Sequence, residues 1–547
     1  MNKILKYFII LIGLNSCISR SEVDLIIHNA VIFTVDENFS MAEAMAIQGD
    51  SILEIGPEHE ILNKYSSSTI NDAKKKFIYP GLIDAHSHFM GYAKNLDQLN
   101  LVGIESQNAL INAVKKKVET SNSDWILGRG WDQTNWEEQI YPTNEWCDNL
   151  FPDKFIFLKR IDGHAALVSN NLLELAGIDE NTEIEGGKIL RSDGKCTGIL
   201  IDNAIDTIQS LIPEIEAIQL SNLLKKAQMN CFEVGLTSVC DAGLDKADVE
   251  MLQEMSEKNE LKLRLYIMLN PTDENFESYL SNGPIQNEQI SITSFKFYCD
   301  GALGSRGALL NAPYADVQEE DYHGLLLSNE DNLKKWASEL YLSGFQMNTH
   351  AIGDGANRLM LHIYANELKG VNDKRWRIEH AQVVNSSDLQ YFQDYTIIPS
   401  VQPTHATSDM NWAIDRLGEN RIETAYAFKS LKNQNGLIAF GTDFPVEEIN
   451  PLYTLLAATK RTDTSGNPEG GYQIKESLSF EESLRAMTIW AAIANFEENV
   501  KGSLEVGKKA DFVIFNKNLE HLDAHNLDDY SVEMTYLNGK EVYKKNQ

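Results

Sequence analysis

This chain of 547 residues has 43% hydrophobic side chains and a formal net charge of −32 at pH 7. Such acidity argues against non-specific affinity for nucleic acid or for anionic lipid headgroups, both of which attract basic surfaces. The length leaves room for more than one domain, although barrel domains routinely exceed the usual figure of about 100–200 residues per domain.

The first seventeen residues predict an export signal. Lys3 and Lys6 precede an apolar run over 7–14, which is too short to span a bilayer as a mature helix. Leu14-Asn15-Ser16-Cys17 closes this run and resembles a bacterial lipobox, in which the cysteine becomes the lipidated N-terminus. We therefore expect a signal peptide over 1–17, and a lipid anchor on Cys17 that holds the protein in the cell envelope. Because Ile18 follows instead of Asp, we expect the outer membrane, facing the periplasm or the surface. The alternative is an ordinary secreted protein with a chance cysteine.

Both ends of the chain predict short strands. Residues 24–56 form short β-like runs, and residues 510–515 and 532–537 do likewise. Asn538-Gly539 is a strong hairpin-turn signal, with 540–543 as the return strand. We predict one composite β-sandwich domain, built from 23–80 and 500–547.

The long middle part of the chain alternates apolar runs with helical stretches, which favours parallel strand pairing. We therefore predict an α/β fold with a (β/α)8 TIM-like barrel over 81–499. The first two strands are separated by a long gap, which predicts an insertion within the barrel near 95–225. The predicted barrel strands are 81–86, 236–241, 263–269, 293–299, 344–350, 376–380, 396–401 and 437–442.

Four of these strands end at residues that bind divalent metals. His86 and His88 lie two apart, so both side chains can point to the same side at the end of the first strand. His350, His380 and Asp443 follow later strands. Imidazole and carboxylate are good ligands for zinc and related ions. Because the strands of a barrel converge, the pattern predicts one metal centre.

The segment P-G-L-I-D-A-H-S-H over 80–88 resembles the signature of the amidohydrolase superfamily, metal-dependent hydrolases built on a barrel. The segments 295–307, 349–354 and 377–382 are similar to the branch that includes N-substituted formamide deformylase. Gly128-Arg129-Gly130-Trp131-Asp132 and Asp162-Gly163-His164 fit the same branch. The resemblance covers essentially everything from Val23 to the C-terminus. It implies a metal site formed by His86, His88, Lys296, His350, His380 and Asp443.

Lys296 lies in an apolar, aromatic strand, where an unpaired ammonium group would be costly to bury. The resemblance implies that CO₂ carboxylates this lysine and that the resulting carbamate bridges two metal ions. One alternative is a lysine paired with Asp300 or Asp443. Another is a single-metal site with an unmodified lysine.

Further candidates belong to the substrate side of the site. His164 and His405 are each expected to contact the substrate or to make a structural hydrogen bond, and both alternatives stay open. Glu379, which is adjacent to His380 in the sequence, is expected to pack against a metal ligand or to form a hydrogen bond with it. Weaker candidates for substrate contact are Trp131, Arg306 and Asp409.

These observations lead to the hypothesis of an amidohydrolase that cleaves an amide-type C–N bond, such as that of an N-formyl or N-acyl amine. Two divalent ions, most plausibly zinc, would activate a water to hydroxide, with a single ion as the alternative. Asp443 would carry the proton to the leaving nitrogen, while His164 or His405 holds the oxyanion. A cyclic amidase, a deaminase and an esterase fit the same site, and a periplasmic binding lipoprotein without catalysis is the distant alternative. We expect a small-molecule substrate, no nucleic acid and a membrane attachment through Cys17, and we leave a homodimer open.

Overall fold

The structure is a computed structural model that describes residues 20–317 and 321–546. The predicted signal peptide and its lipidation site at Cys17 lie outside these described residues. Within them, no helix combines the length with the apolar composition that crossing a membrane requires.

Eight parallel strands, each hydrogen-bonded to the next in chain order, form the centre of the fold. Their residues are almost all buried, because the strands are covered on both faces and therefore read as continuous apolar runs. The predicted (β/α)8 barrel is confirmed, together with a β-rich domain. A short antiparallel strand, Ile285–Gln286, is added at the fourth strand. The barrel strands are Leu82–Ser87, Leu236–Leu244, Arg264–Leu269, Ile290–Tyr298, Gln346–Ala351, Arg377–His380, Ile398–Val401 and Ala439–Phe440.

The eighth strand is shorter than predicted, and it meets the first strand mainly through the residues that follow it. Asp443 N–H donates to the His86 carbonyl at 2.8 Å, and His88 N–H donates to the Phe444 carbonyl at 2.9 Å. A Cβ on Gly441 would lie 2.5 Å from the backbone nitrogen of His86, so only glycine allows this close approach. The contact that closes the barrel therefore also places the residues that follow both strands.

Helices cover the outside of the barrel and present apolar side chains to it. The long ones follow the usual amphipathic pattern, for example Leu220, Leu224, Ala227 and Cys231 on one face of the helix before the second strand. The helices of the barrel are Phe89–Asn95, Ala217–Glu233, Lys246–Glu257, Asp273–Tyr279, Glu330–Ser343, Asp354–Leu368, Gln390–Asp394, Pro403–Asp409, Ala413–Arg421, Phe428–Asn435, Pro451–Lys460, Phe480–Ala486 and Ile489–Ala494.

Between the first and second barrel strands the chain forms a separate six-stranded sheet with its own apolar cores. Its strands, in spatial order, are Leu99–Asn100, Trp125–Trp131, Phe155–Arg160, Ala165–Val168, Lys195–Asp202 and Gly187–Ser192. Its helices are Gln107–Thr120, Glu145–Leu150, Asn170–Leu175 and Asn203–Gln209.

The two ends of the chain build two further sheets around a shared apolar core. Phe512 and Tyr536 from the C-terminal part stack there with ring centroids 4.4 Å apart. Asn538 and Gly539 both have positive φ, as a two-residue hairpin turn requires, and they join the predicted return strand. In spatial order the sheets contain Ser51–Gly56, Ala44–Gln48, Leu25–His28 and Ile70–Asp72, and Lys540–Lys544, Val532–Leu537, Phe512–Phe515, Phe77–Pro80, Val31–Phe33 and Met41–Ala42. Ser21–Glu22 pairs with Tyr65–Ser66, and the helix Glu58–Lys64 lies between them in the chain.

Candidate metal centre and substrate cavity

Side chains from several barrel strands converge at the carboxyl end of the barrel. Asp443 Oδ1 lies 3.1 Å from His88 Nε2 and 3.7 Å from His86 Nε2. Lys296 Nζ lies 3.1 Å from the same nitrogen of His86. His380, whose ring centroid is 4.8 Å from that of His86, completes this group. Two ligands that sit about 2.1 Å from one zinc ion in tetrahedral arrangement lie roughly 3.4 Å apart, so the spacing suits a shared ion.

The imidazoles are fixed so that their Nε2 atoms face this centre. The Nδ1 of His88 donates to the Ala242 carbonyl at 2.9 Å, and the Nδ1 of His380 lies 2.7 Å from the side-chain oxygen of Gln402. His86 Nδ1 lies 2.5 Å from the Glu379 carboxylate. Because Nδ1 carries the proton in each case, the lone pair lies on Nε2, as in histidines that bind metal.

Burial favours the neutral form of the buried imidazoles, which is the form that binds a metal. It lowers the pKa of His86 to about 4 and holds the pKa values of His350 and His380 well below the usual value. Burial also lowers the pKa of Lys296 to about 8, although Glu379 and Asp443 act in the opposite direction. In the part of the chain that the structure describes, Lys296 forms no ion pair with Asp300 or Asp443. The carboxylate of Asp300 instead accepts hydrogen bonds from three backbone N–H groups, those of Leu309, Ile352 and Gly353.

Two predicted ligands have backbone conformations that L-residues rarely adopt. His380, the last residue of its strand, has φ +73°, and Asp443, three residues after the eighth strand, has φ +63°. A left-handed backbone at a residue other than glycine costs of order 1 kcal/mol or more and persists where the surrounding contacts enforce it. Asp84, which accepts from Thr442 Oγ1 at 2.7 Å and from its backbone N–H, ties the loop after the eighth strand to the first strand.

His350 lies at the edge of the metal centre and links it to the insertion. Its ring centroid is 4.5 Å from that of His380 and 5.1 Å from that of His164. Its Nε2 lies 3.4 Å from the Gly301 carbonyl, a marginal hydrogen bond. His164 therefore reaches the barrel site from the insertion.

His164 is held by Asp202, which sequence analysis missed. The Nδ1 of His164 lies 2.6 Å from Asp202 Oδ1. Burial opposes the imidazolium charge, but the hydrogen bond and charge of Asp202, with Asp162 and Asp300, outweigh it and raise the pKa of His164 above its usual value. Asp202 also packs against two glycines of the barrel. A Cβ on Gly301 or on Gly307 would lie 2.3 or 2.2 Å from its Oδ2, so the carboxylate occupies the space beside both residues.

A cavity of about 670 Å³ opens above the centre, and its wall includes His88, Lys296, His350, His380 and Asp443. His164 and His405 also line it. His405 Nε2 is buried, lies 3.7 Å from Asp443 Oδ2 and has no hydrogen-bond partner among the described residues. Both histidines could therefore contact a bound molecule.

Two of the weaker candidates do not line this cavity. Trp131 is fully buried in the insertion, where its Nε1 donates to the Leu158 carbonyl at 2.7 Å. Arg306 forms an ion pair with Asp316 at 2.8 Å. Asp409 does line the cavity and accepts a hydrogen bond from Tyr426 at 2.8 Å. The structure therefore gives Trp131 and Arg306 no direct contact with a molecule in the cavity.

Comparison with known proteins agrees with this architecture. A family model described as the amidohydrolase family matches residues 69–543. The chain belongs to the amidohydrolase family. It is 33% identical to the protein LONG AFTER FAR-RED 3 of Arabidopsis thaliana over 95% of this chain and 91% of that protein. It is 23% identical to the N-substituted formamide deformylase of Arthrobacter pascens over 95% and 98% of the two chains.

A solved structure shares the whole architecture. The crystal structure of an uncharacterized metal-dependent hydrolase from Pyrococcus furiosus superimposes with a TM-score of 0.71 at 26% identity, covering 91% of this chain and 99% of that one. Family membership and this likeness identify the amidohydrolase described here as a metal-dependent hydrolase.

Proposed function

We propose that this amidohydrolase cleaves an amide-type C–N bond, such as that of an N-formyl or N-acyl amine, in a small molecule. The observation that carries the proposal is the convergence of Asp443 with His86 and His88, whose nitrogens approach one carboxylate oxygen to 3.7 and 3.1 Å respectively. That oxygen is buried and has no hydrogen-bond partner within the described chain. The activity in the name of the Arthrobacter pascens relative supports the choice of bond.

The residues that would hold the metal are His86, His88, His350, His380, Asp443 and Lys296. The histidines offer imidazole nitrogen and Asp443 offers carboxylate oxygen, and both kinds of donor suit zinc. When bound, divalent ions supply Lewis acidity toward a carbonyl oxygen and lower the pKa of a water. We propose two ions instead of one, because a carbamate on Lys296 would add a further anionic ligand to these residues.

Lys296 is suited to carbamate formation. Its amine is fully buried, and its depressed pKa makes the neutral form accessible near neutral pH. The neutral amine adds to CO₂ through its lone pair and releases one proton, which gives a carbamate anion in place of a buried cation. Lys296 Nζ lies 5.0 Å from the centroid of the Tyr298 ring.

Asp443 is proposed as the proton carrier. Burial alone would raise its pKa, but the surrounding imidazoles of His88, His86 and His380 hold the pKa well below the usual value. The carboxylate is therefore ionised and able to accept a proton from the attacking water. It then returns this proton to the departing nitrogen, so that it acts first as base and then as acid.

His164 and His405 are proposed to hold the carbonyl oxygen of the substrate as negative charge develops on it. His164 is the stronger donor, because Asp202 orients its ring and favours its protonated form. His405 also lines the cavity and contributes a buried nitrogen that has no hydrogen-bond partner among the described residues.

The test compares activity on N-formyl, N-acyl and cyclic amides, amines open to deamination, and esters, using metal-loaded protein. We expect turnover of the open-chain amides, and full activity after chelation would contradict a metal-dependent mechanism. Asp443→Asn should remove nearly all turnover while metal is retained, since the amide cannot accept the proton. Turnover restricted to cyclic amides, esters or amines would assign the site to one of those alternatives.

We also propose that Cys17 carries a lipid that attaches the enzyme to the cell envelope. The support is the sequence alone, since this part of the chain lies outside the described residues. Cys17→Ser, expressed in a bacterium, should move the protein from the membrane fraction to the soluble fraction. An unchanged membrane fraction would contradict the lipid anchor.

A further inference from the structure

Two cationic side chains stand next to each other on the wall of the cavity. Arg129 and Lys159 belong to neighbouring parallel strands of the insertion, Trp125–Trp131 and Phe155–Arg160, and they are direct partners in the register of these strands. Both line the cavity that opens above the metal centre. The register therefore places their charges on the same side of the sheet.

Neither cation is neutralised by an ion pair within residues 20–317 and 321–546. Arg129 donates from Nη2 to the Ile161 carbonyl at 2.9 Å, while its Nε is buried without a hydrogen-bond partner. Lys159 Nζ donates to the side-chain oxygen of Gln209 at 2.6 Å. The nearby carboxylate of Asp206 acts on the pKa of Lys159 but does not reach ion-pair distance.

The neighbouring arginine shows how different this arrangement is. Arg160, one residue further along the same strand, pairs with both Asp132 and Asp162. Those two carboxylates are therefore paired with Arg160. Asp162 and Asp443 act on the pKa of Arg129 from a distance, but among the described residues neither forms an ion pair with it. Space beside Arg129 is kept by Gly163, where a Cβ would lie 3.2 Å from Nη2.

Two like charges side by side in a partly buried wall are unfavourable without a counterion. Burial and the charge of Arg129 lower the pKa of Lys159 to about 8, which is the electrostatic consequence of that arrangement. In a chain with a net charge of −32, carboxylates for pairing are abundant, yet none of those described reaches ion-pair distance of Arg129 or Lys159. The missing counterion is therefore expected from a ligand.

We propose that the substrate carries a carboxylate that binds between Arg129 and Lys159. This inference rests on the proposed function, because it names the class of substrate for that same site. A guanidinium group with unused N–H donors can bind a carboxylate through two hydrogen bonds, and the ammonium group adds a point charge.

Other acidic side chains also line the cavity. Glu447 and Asp409 lie near His405, and Glu447 accepts a hydrogen bond from Ser408 at 2.6 Å. On the insertion, Asp132 and Asp162 pair with Arg160, and Asp202 pairs with His164. In the proposed orientation the carboxylate of the substrate lies at Arg129 and Lys159, and the scissile bond faces the metal-centre histidines and Asp443.

The experiment compares N-formyl and N-acetyl amino acids with the corresponding carboxamides, which present the same scissile bond without the charge. We expect the metal-loaded enzyme to prefer the carboxylates by about 10- to 100-fold in kcat/KM, chiefly through KM, since hydrogen bonds to charged groups are worth that much. Arg129→Gln and Lys159→Gln should each remove most of this preference. Lys195→Gln, an exposed lysine of the same insertion, is the matched control and should keep it.

Equal kcat/KM for carboxylates and carboxamides, or an unchanged preference in both variants, would overturn the carboxylate subsite. If no compound is turned over, the proposed function fails, and binding of the same pairs is then measured by isothermal titration calorimetry. The carboxylates should still bind more tightly than the carboxamides, and lose this advantage in Lys159→Gln. Equal affinities would overturn the subsite independently of catalysis.

Discussion

Glu379→Gln offers the sharpest test of how the metal centre is held. Glu379 is fully buried, with one oxygen 2.5 Å from His86 Nδ1 and the other 2.6 Å from Arg377 Nε. Burial opposes its ionisation, but Arg377 and His86 outweigh it and hold the pKa of Glu379 well below the usual value. Glutamine keeps the shape of the side chain and removes the charge.

Two effects follow from the loss of that charge. The lone pair of His86 becomes a weaker donor, and losses of this kind typically cost about 10- to 100-fold in metal affinity. The guanidinium of Arg377, which also donates to the Ala85 carbonyl at 2.5 Å, is left buried without its carboxylate. Breaking a buried ion pair in this way costs roughly 3–5 kcal/mol of stability.

The assay measures bound metal against a graded series of chelator concentrations, and urea unfolding of the metal-free protein. Glu498→Gln is the matched control: it breaks a bidentate pair with Arg375 near the protein surface, at 2.9 Å for both contacts, and should cost at most about 1 kcal/mol. Adding Arg377→Met to Glu379→Gln should recover part of the stability but none of the metal affinity. Metal affinity equal to that of the wild type in Glu379→Gln would refute the reasoning.

Three further predictions follow. Lys296→Ala should lower the metal content measured by elemental analysis, and added acetate or propionate should partly restore it if a carbamate is the missing ligand; an unchanged metal content would reject Lys296 as a ligand. The raised pKa of His164 means that its imidazolium persists above pH 6.5 and is lost as pH rises through that raised pKa. We therefore expect kcat/KM to fall as pH rises through that pKa. Asp202→Asn should move the midpoint of this fall to lower pH in a pH–rate profile. A profile with the same midpoint in Asp202→Asn would remove Asp202 from this role. Gly441→Ala should destabilise the enzyme by about 1–3 kcal/mol in urea unfolding, because the new Cβ meets the backbone of His86. Stability equal to that of the wild type would show that the first and eighth barrel strands can separate freely.

The barrel could be predicted because its strands are buried on both faces and therefore appear as short apolar runs. The run at 437–442 shows the limit of this signal, since only Ala439–Phe440 is a strand and backbone contacts of the following residues complete the closure. Ligands such as His350 and Asp443 could be placed because each lies within three residues of the carboxyl end of a strand, a relation that is local in sequence.

Partners from distant parts of the chain could not be predicted. Asp202 is 38 residues from His164, and Thr442 is 358 residues from Asp84, so neither pair leaves a local pattern. Trp131 illustrates the reverse problem. Its motif resembles a substrate-side segment, but the indole faces the core of the insertion, and the residues of this motif that line the cavity are Arg129 and Asp132.

The separate sheet inserted after the first barrel strand has a consequence for how this enzyme can diversify. The residues that would hold metal lie on the barrel, whereas the cations of the cavity wall lie on the insertion. Mutations that alter the strands Trp125–Trp131 and Phe155–Arg160 can therefore change what enters the site without touching the groups that perform the reaction. Selection for a new substrate can therefore act on these strands of the insertion, while the residues that would hold metal are preserved on the barrel.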